Sequence, residues 1–272
     1  MMSVILNSSC AGSTISCNGC MPSVSPGDAT RVPRSSFVYI ESDLYANDAS
    51  CTENCELKVN TSYASGFFIY RSKSDTSTGF VMTADHLCQH RDSTIEGMKN
   101  VKHAFVVYDY FGKKHDASHY FSSANVDVCV LIITDMSDDA TVAELADTLP
   151  MIGSRAYSVS APKGYFVPNA ALIFEGLYSG NAGPKTFWTI PTEPGSSGAP
   201  IFDASGYVVS MIIGVPVVRL KGPTGDVTSV RITPSLCIAE SLDALKTTLN
   251  SIESMDQVFG LSLLPTSKSR PL

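Results

Sequence analysis

Charge is scarce in this chain, and positive charge scarcest. Charged residues make up 17% of 272, with 19 Lys and Arg against 26 Asp and Glu and a formal net charge of −7. That balance excludes a dedicated nucleic-acid binder, because phosphate contacts need a basic surface. Long apolar runs are missing too. The longest, Tyr207 to Val218, is broken by Ser210, Gly214 and Pro216 and is too short to cross a bilayer. Met1–Leu6 lacks the positive flank of a secretory signal, so the chain reads as soluble and cytoplasmic. Eight cysteines are too sparse for a small disulfide scaffold. Gly 19 and Pro 15 are ordinary proportions, which removes collagen-like and low-complexity readings. What the chain does have is 44% hydrophobic residues, enough to fill a core and to exclude a wholly disordered protein.

The apolar residues come in short strand-like pieces. Phe37–Ile40, Gly66–Tyr70 and Phe80–Thr83 are aromatic and β-branched runs separated by turn material. His103–Tyr110, Val126–Ile133, Arg155–Ser160, Ala171–Tyr178, Phe187–Ile190, Ala199–Phe202, Tyr207–Val218 and Val227–Thr233 continue the series. An acidic stretch at 134–150 divides them into two groups, as a linker between halves would. Leu236, Ala239, Leu242, Leu245 and Leu249 recur at three- and four-residue steps and predict one helix over about Ser235–Asn250. The expected organisation is an extension over 1–31, an all-β half over 32–140, a second over 141–234, a helix over 235–252 and a tail over 253–272.

The strongest chemical signal is Pro194-Gly195-Ser196-Ser197-Gly198-Ala199-Pro200. Glycine can bring its amide close to a developing oxyanion, so Gly195 and Ser197 N–H groups would form an oxyanion hole around a Ser197 nucleophile. Taken alone, the motif also fits a surface turn. Serine needs a base to take its proton. Among five histidines, only His86 ends a buried-looking strand, within Phe80–Cys88. The base in turn needs an acid, and Asp127 opens the apolar run to Ile133, whereas Asp109 and Asp116 lead into no such run. Cys17-Asn18-Gly19-Cys20 has zinc-like spacing without a second ligand pair, and Cys129 reads as a small buried hydrophobe. No metal or cofactor is expected.

His86, Asp127 and Ser197 stand in the order His, Asp, Ser, and their surroundings resemble the chymotrypsin-like serine proteases. Thr83-Ala84-Asp85-His86 is similar to that family's Thr-Ala-Ala-His, Asp127–Leu131 to its Asp-Ile-Ala-Leu-Leu, and Gly195–Pro200 to its Gly-Asp-Ser-Gly-Gly-Pro. The resemblance spans about residues 32–250. It implies two six-stranded antiparallel β-barrels with the triad between them, a C-terminal helix, and peptide or polyprotein substrates. Ser196 replaces the aspartate that would receive a zymogen's new N-terminus. Cys88 lies near a family disulfide position, but the usual partner is missing, which implies free thiols and a reducing compartment. Thr192-Glu193-Pro194-Gly195-Ser196-Ser197-Gly198 resembles the Thr-x-x-Gly-x-Ser-Gly signature of serine proteases in plus-strand RNA virus polyproteins. HtrA-type proteases share the Gly-x-Ser-Gly core but continue into a further domain, for which little sequence remains after this helix. Thr192, Ile212, Ile213, Gly214 and Thr228 would then border the substrate pocket. Pro191, in place of an acid, disfavours cleavage after Arg or Lys. A catalytically silent binding module and an esterase or transferase are the competing readings.

Overall fold

The computed structural model describes residues 31–48, 56–89, 98–123, 125–221, 227–231 and 235–259. Six antiparallel strands close the first barrel: β1 (Phe37–Asp48), β2 (Glu56–Arg71), β3 (Gly79–Thr83), β4 (Met98–Asp109), β5 (Lys114–Ser122) and β6 (Cys129–Ile133), in the order β1-β2-β3-β6-β5-β4. The second barrel uses β7 (Arg155–Ser160), β8 (Leu172–Ala182), β9 (Lys185–Trp188), β10 (Pro200–Asp203), β11 (Val208–Gly214) and β14 (Cys237–Glu240), ordered β10-β11-β14-β9-β8-β7. Taken round each circle the two connectivities are the same. Between β11 and β14, strands β12 (Val217–Lys221) and β13 (Val227–Arg231) form a separate two-stranded ribbon. Closure removes the free edges that would otherwise invite aggregation.

The expected all-β, two-barrel architecture is therefore what forms. Its details differ from the sequence pattern in three places. β5 was not legible, because Lys-His-Asp-Ala-Ser-His-Tyr-Phe-Ser is polar on most positions and only His115 is fully enclosed. The run Tyr207–Val218 breaks after Gly214, so that β11 stays in the barrel while β12 leaves it. The helix does not begin at Ser235. Cys237–Glu240 is the strand that closes the second barrel between β11 and β9, so that barrel extends past residue 234. The helix is α2 (Leu242–Phe259). Ser241 starts it: its hydroxyl accepts from the Ala244 amide at 3.2 Å and its carbonyl from the Leu245 amide at 3.3 Å. Leu236 and Ala239 matched the helical spacing only by coincidence of a short strand with a three-residue step.

One apolar cluster runs through the junction of the barrels. Phe37, Phe67, Met82 and Val128 of the first meet Tyr157, Val159, Phe202 and Met211 of the second, with Leu245 and Ile252 of α2. At roughly 1.5–3 kcal/mol for each large side chain removed from water, this contact fixes how the halves sit. The linker is stitched on by Ala143 N–H to Phe68 carbonyl (2.8 Å) and Ala146 N–H to Val208 carbonyl (2.9 Å). Asp256, near the end of α2, holds the helix against the first barrel. It accepts from Tyr70 (3.0 Å), Ser72 (2.8 Å) and Ser74 hydroxyls and from the Lys73 amide.

Candidate active site

β3 is buried along its whole length and delivers the chain to Ala84, where a single helical turn, α1 (Asp85–Cys88), carries His86. Because β3 pairs with β6, the residues just before β6 lie across from α1. Asp127 meets His86 there twice. Its Oδ1 accepts the His86 backbone amide at 2.8 Å and its Oδ2 lies 2.7 Å from Nδ1. A carboxylate only accepts, so Nδ1 carries a proton in its bond to Asp127 and Nε2 is the ring nitrogen left for another partner. Burial pushes the Asp127 carboxyl up, but the His86 side-chain and amide hydrogen bonds, with the charges of His86 and Lys185, hold it below the usual carboxylate range. Asp85, next to the base, is buried and accepts a hydrogen bond from Gln89 Nε2. Beside this pair opens a cleft of about 510 Å³, bordered by His86, Asp127, Ser122, Asn125 and Lys185.

The serine loop reaches the same place from the second barrel. Gly195 (φ +96°) and Gly198 (φ +83°) both adopt backbone conformations that other residues resist. A Cβ on Gly195 would lie 2.5 Å from the Ala161 carbonyl oxygen and 2.8 Å from the Lys163 amide nitrogen. A Cβ on Gly198 would strike the Ser65 carbonyl and the Thr83 hydroxyl. Gly198 thus packs on the backbone that leads to His86, and Ser197 lies alongside it. Lys163 itself is left-handed (φ 55°), and its amide donates to the Pro194 carbonyl at 2.5 Å. In a trans peptide the N–H points opposite the C=O, so this bond turns the Gly195 amide away from Lys163. Among the described residues neither the Gly195 nor the Ser197 amide is engaged in a hydrogen bond. Among the described residues no hydrogen bond joins Ser197 Oγ to His86.

Ser65, fully buried on β2, ties the two halves together here. Its hydroxyl donates to the Gly195 carbonyl (2.8 Å) and accepts the Ala161 amide (2.9 Å), while its own amide donates to the Ser197 carbonyl (2.8 Å). Nothing in the local sequence marks Ser65 or Ala161–Gly164 for this part, because small and glycine residues acquire it only from the loop packed against them. Of the expected pocket residues, Thr192 is buried and its hydroxyl donates to the Ile190 carbonyl (3.2 Å). Ile212 is wholly buried in the second barrel's core, which takes it out of any pocket wall. Ile213 and Gly214 end β11 half-buried. Thr228 lies on β13, and its side chain is outside the described residues.

The cysteines require a correction. Cys88 and Cys129 form a disulfide, not two free thiols. α1 folds back over the start of β6, which brings Cys88 beside Cys129 although 41 residues separate them. The partner that the resemblance leaves missing is Cys129, which follows Asp127 at the same two-residue offset by which Cys88 follows His86. With it goes the ground for a reducing compartment. His119 lies within 4.8 Å of both sulfurs, a metal-like grouping whose sulfurs are joined to each other. Cys237 is the one free cysteine among the described residues, and burial pushes its thiol up to about 12, leaving it unreactive. Cys10, Cys17, Cys20, Cys51 and Cys55 fall outside the described residues.

Two closed six-stranded barrels with a histidine–aspartate pair and a glycine-framed serine between them define the chymotrypsin-like fold. The profile of the trypsin-like peptidase domain matches residues 64–211, more than half of the chain and a span that contains His86, Asp127 and Ser197. The chain belongs to that family. Among solved structures, it is similar to an HtrA-type protease, AlgW with a tripeptide, at 16% identity and a TM-score of 0.54, covering 84% of this chain and 62% of that one. It is also similar to the inactive form of a serine mutant of Rv3671c from M. tuberculosis H37Rv, at 16% identity and a TM-score of 0.53, covering 84% and 91%. The chain thus spans under two thirds of the HtrA-type structure. No curated protein matches.

Proposed function

We propose that the chain is a serine endopeptidase using His86, Asp127 and Ser197. The observation that carries this reading is the paired contact of Asp127 with the His86 amide and Nδ1, set beside a serine whose own amide and that of Gly195 are unengaged among the described residues. Ser197 Oγ attacks the scissile carbonyl as His86 Nε2 takes its proton. His86 then returns that proton to the leaving amine, while Asp127 keeps the tautomer and stabilises the imidazolium. The Gly195 and Ser197 amides stabilise the oxyanion, each worth around 3 kcal/mol in the transition state. Water repeats the sequence on the acyl-enzyme and frees Ser197. A fluorophosphonate probe should label the wild-type chain and spare Ser197→Ala, and casein or a peptide library should be cleaved by the first alone. Turnover by Ser197→Ala at the wild-type rate, or a wild-type serine inert to the probe, would end this reading.

Processing of a viral polyprotein rests on Thr192, buried in the serine loop three residues before Gly195, and on the signature it opens. An HtrA-type cellular protease fits the fold as well. Self-cleavage mapped near either terminus supports the first; cleavage only of unrelated unfolded proteins supports the second. With Ile213 and Gly214 at its rim and no acid at Pro191, the pocket suits a medium-sized apolar or neutral polar side chain. No described helix is long and apolar enough to cross a membrane. The Cys88–Cys129 bridge favours an oxidising environment over the cytoplasm.

A further inference from the structure

Glu240 presents a buried charge that the mechanism above does not use. It sits on β14 of the second barrel with its carboxylate at 0% exposure. Its Oε1 accepts the backbone amide of Asp127 at 2.8 Å and a hydrogen bond from Lys185 Nζ, which comes from the neighbouring strand β9. Its Oε2 is buried with no hydrogen-bond partner among the described residues. An incompletely satisfied carboxylate in a barrel wall is an expensive way to hold a fold together. Replacing such a pair by apolar residues of similar size is often neutral or stabilising. A stability role therefore accounts poorly for it.

Location supplies another account. Asp127 stands just before β6, with two intervening contacts to His86 and none from a strand of its own barrel to its amide among the described bonds. The Glu240 carboxylate is what fixes that amide, and with it the direction in which the Asp127 side chain leaves the backbone. Lys185 Nζ donates to the same Oε1, and it borders the same cleft as His86 and Asp127. Because Glu240 comes from the second barrel and Asp127 from the first, the contact also sets the acid relative to the barrel that carries Ser197. We infer that Glu240, held by Lys185, is a positioning residue that aims Asp127 at His86 across the barrel junction.

The inference rests on the proteolytic reading above. Its test compares Glu240→Gln, which keeps an amide oxygen for the Asp127 N–H, with the apolar double variant Glu240→Leu/Lys185→Met. The double variant should lose kcat by about tenfold or more with KM changed less than about threefold, while its urea midpoint stays at or above that of the wild type. Glu240→Gln should keep kcat within about threefold. The downfield proton resonance of the His86 Nδ1–H···Asp127 bond should persist in the glutamine variant and broaden or vanish in the double variant. A double variant with wild-type kcat and an intact resonance overturns the inference. So does one that fails to fold, since Glu240 would then serve the barrel and not the acid. A wild-type chain inert to fluorophosphonate and to peptides would overturn the proteolytic reading instead, and the proton resonance would still decide the role of Glu240.

Discussion

Opening the Cys88–Cys129 bridge gives the sharpest test of how this site is held. The bridge closes a segment of 41 residues, and the loss of chain entropy in the unfolded state scales with that length to about 4 kcal/mol at room temperature. That is a large share of the 5–15 kcal/mol that typically separates folded from unfolded domains. The bridge also lies two residues beyond both His86 and Asp127, forming a covalent rung next to their hydrogen-bonded one. A Cys88→Ala/Cys129→Ala variant should therefore lower the urea-derived stability by a few kcal/mol and lower kcat together with it. The free Cys237, buried on β14, is the matched control: Cys237→Ala should leave kcat near wild type. Alkylation before and after reduction, read by mass spectrometry at the two sites, establishes the bond itself. The reasoning is refuted if both cysteines alkylate without reductant, or if the double variant differs from wild type by less than about 0.5 kcal/mol, the range of an ordinary surface change.

Three other outcomes follow from the geometry. Gly198→Ala places a methyl group against the Ser65 carbonyl and Thr83 hydroxyl at a φ of +83°, so probe labelling of Ser197 should fall by tenfold or more, at about 1–3 kcal/mol of strain, with circular dichroism unchanged. Burial alone would raise the Asp256 carboxyl, but hydrogen bonds from Ser72, Lys73, Tyr70 and Ser74 hold it below its ordinary value. Its stabilisation is then fully present above the unfolded pKa of about 3.9 and fades as pH falls through the folded one. Asp256→Asn should lose on the order of 2 kcal/mol at neutral pH and show a shallower acid decline in urea titrations. His115 is fully buried between Asp109 (3.3 Å) and Asp135 (2.7 Å); burial pulls its pKa down, yet the two carboxylates outweigh that and raise it. This contribution is complete below about pH 6.5 and is lost as pH rises through the folded value, so His115→Gln should flatten the alkaline decline of the urea midpoint.

The strands that carry the catalytic candidates were readable because each is buried on both faces or alternates cleanly, as in Phe80–Thr83 and Cys129–Ile133. β5 and β14 were not, since one is polar outside and the other is four residues long and mimics a helical step. Local periodicity cannot report a strand whose apolar partners all come from elsewhere in the chain.

As candidates for the proposed chemistry, His86, Asp127 and Ser197 were legible in the sequence, because each stands at a recognisable strand end or glycine turn. The contacts around them were not. Ser65, Lys163, Glu240 and the Cys88–Cys129 bridge act through contacts between residues about 30 to more than 130 positions apart in the chain. Such contacts exist only once two closed barrels bring a buried hydroxyl and a left-handed amide against the serine loop, and the Lys185–Glu240 pair against Asp127. The sequence shows that charge is scarce; the tertiary structure decides where the few buried carboxyl groups stand, and one of them, on Glu240, stands directly behind Asp127.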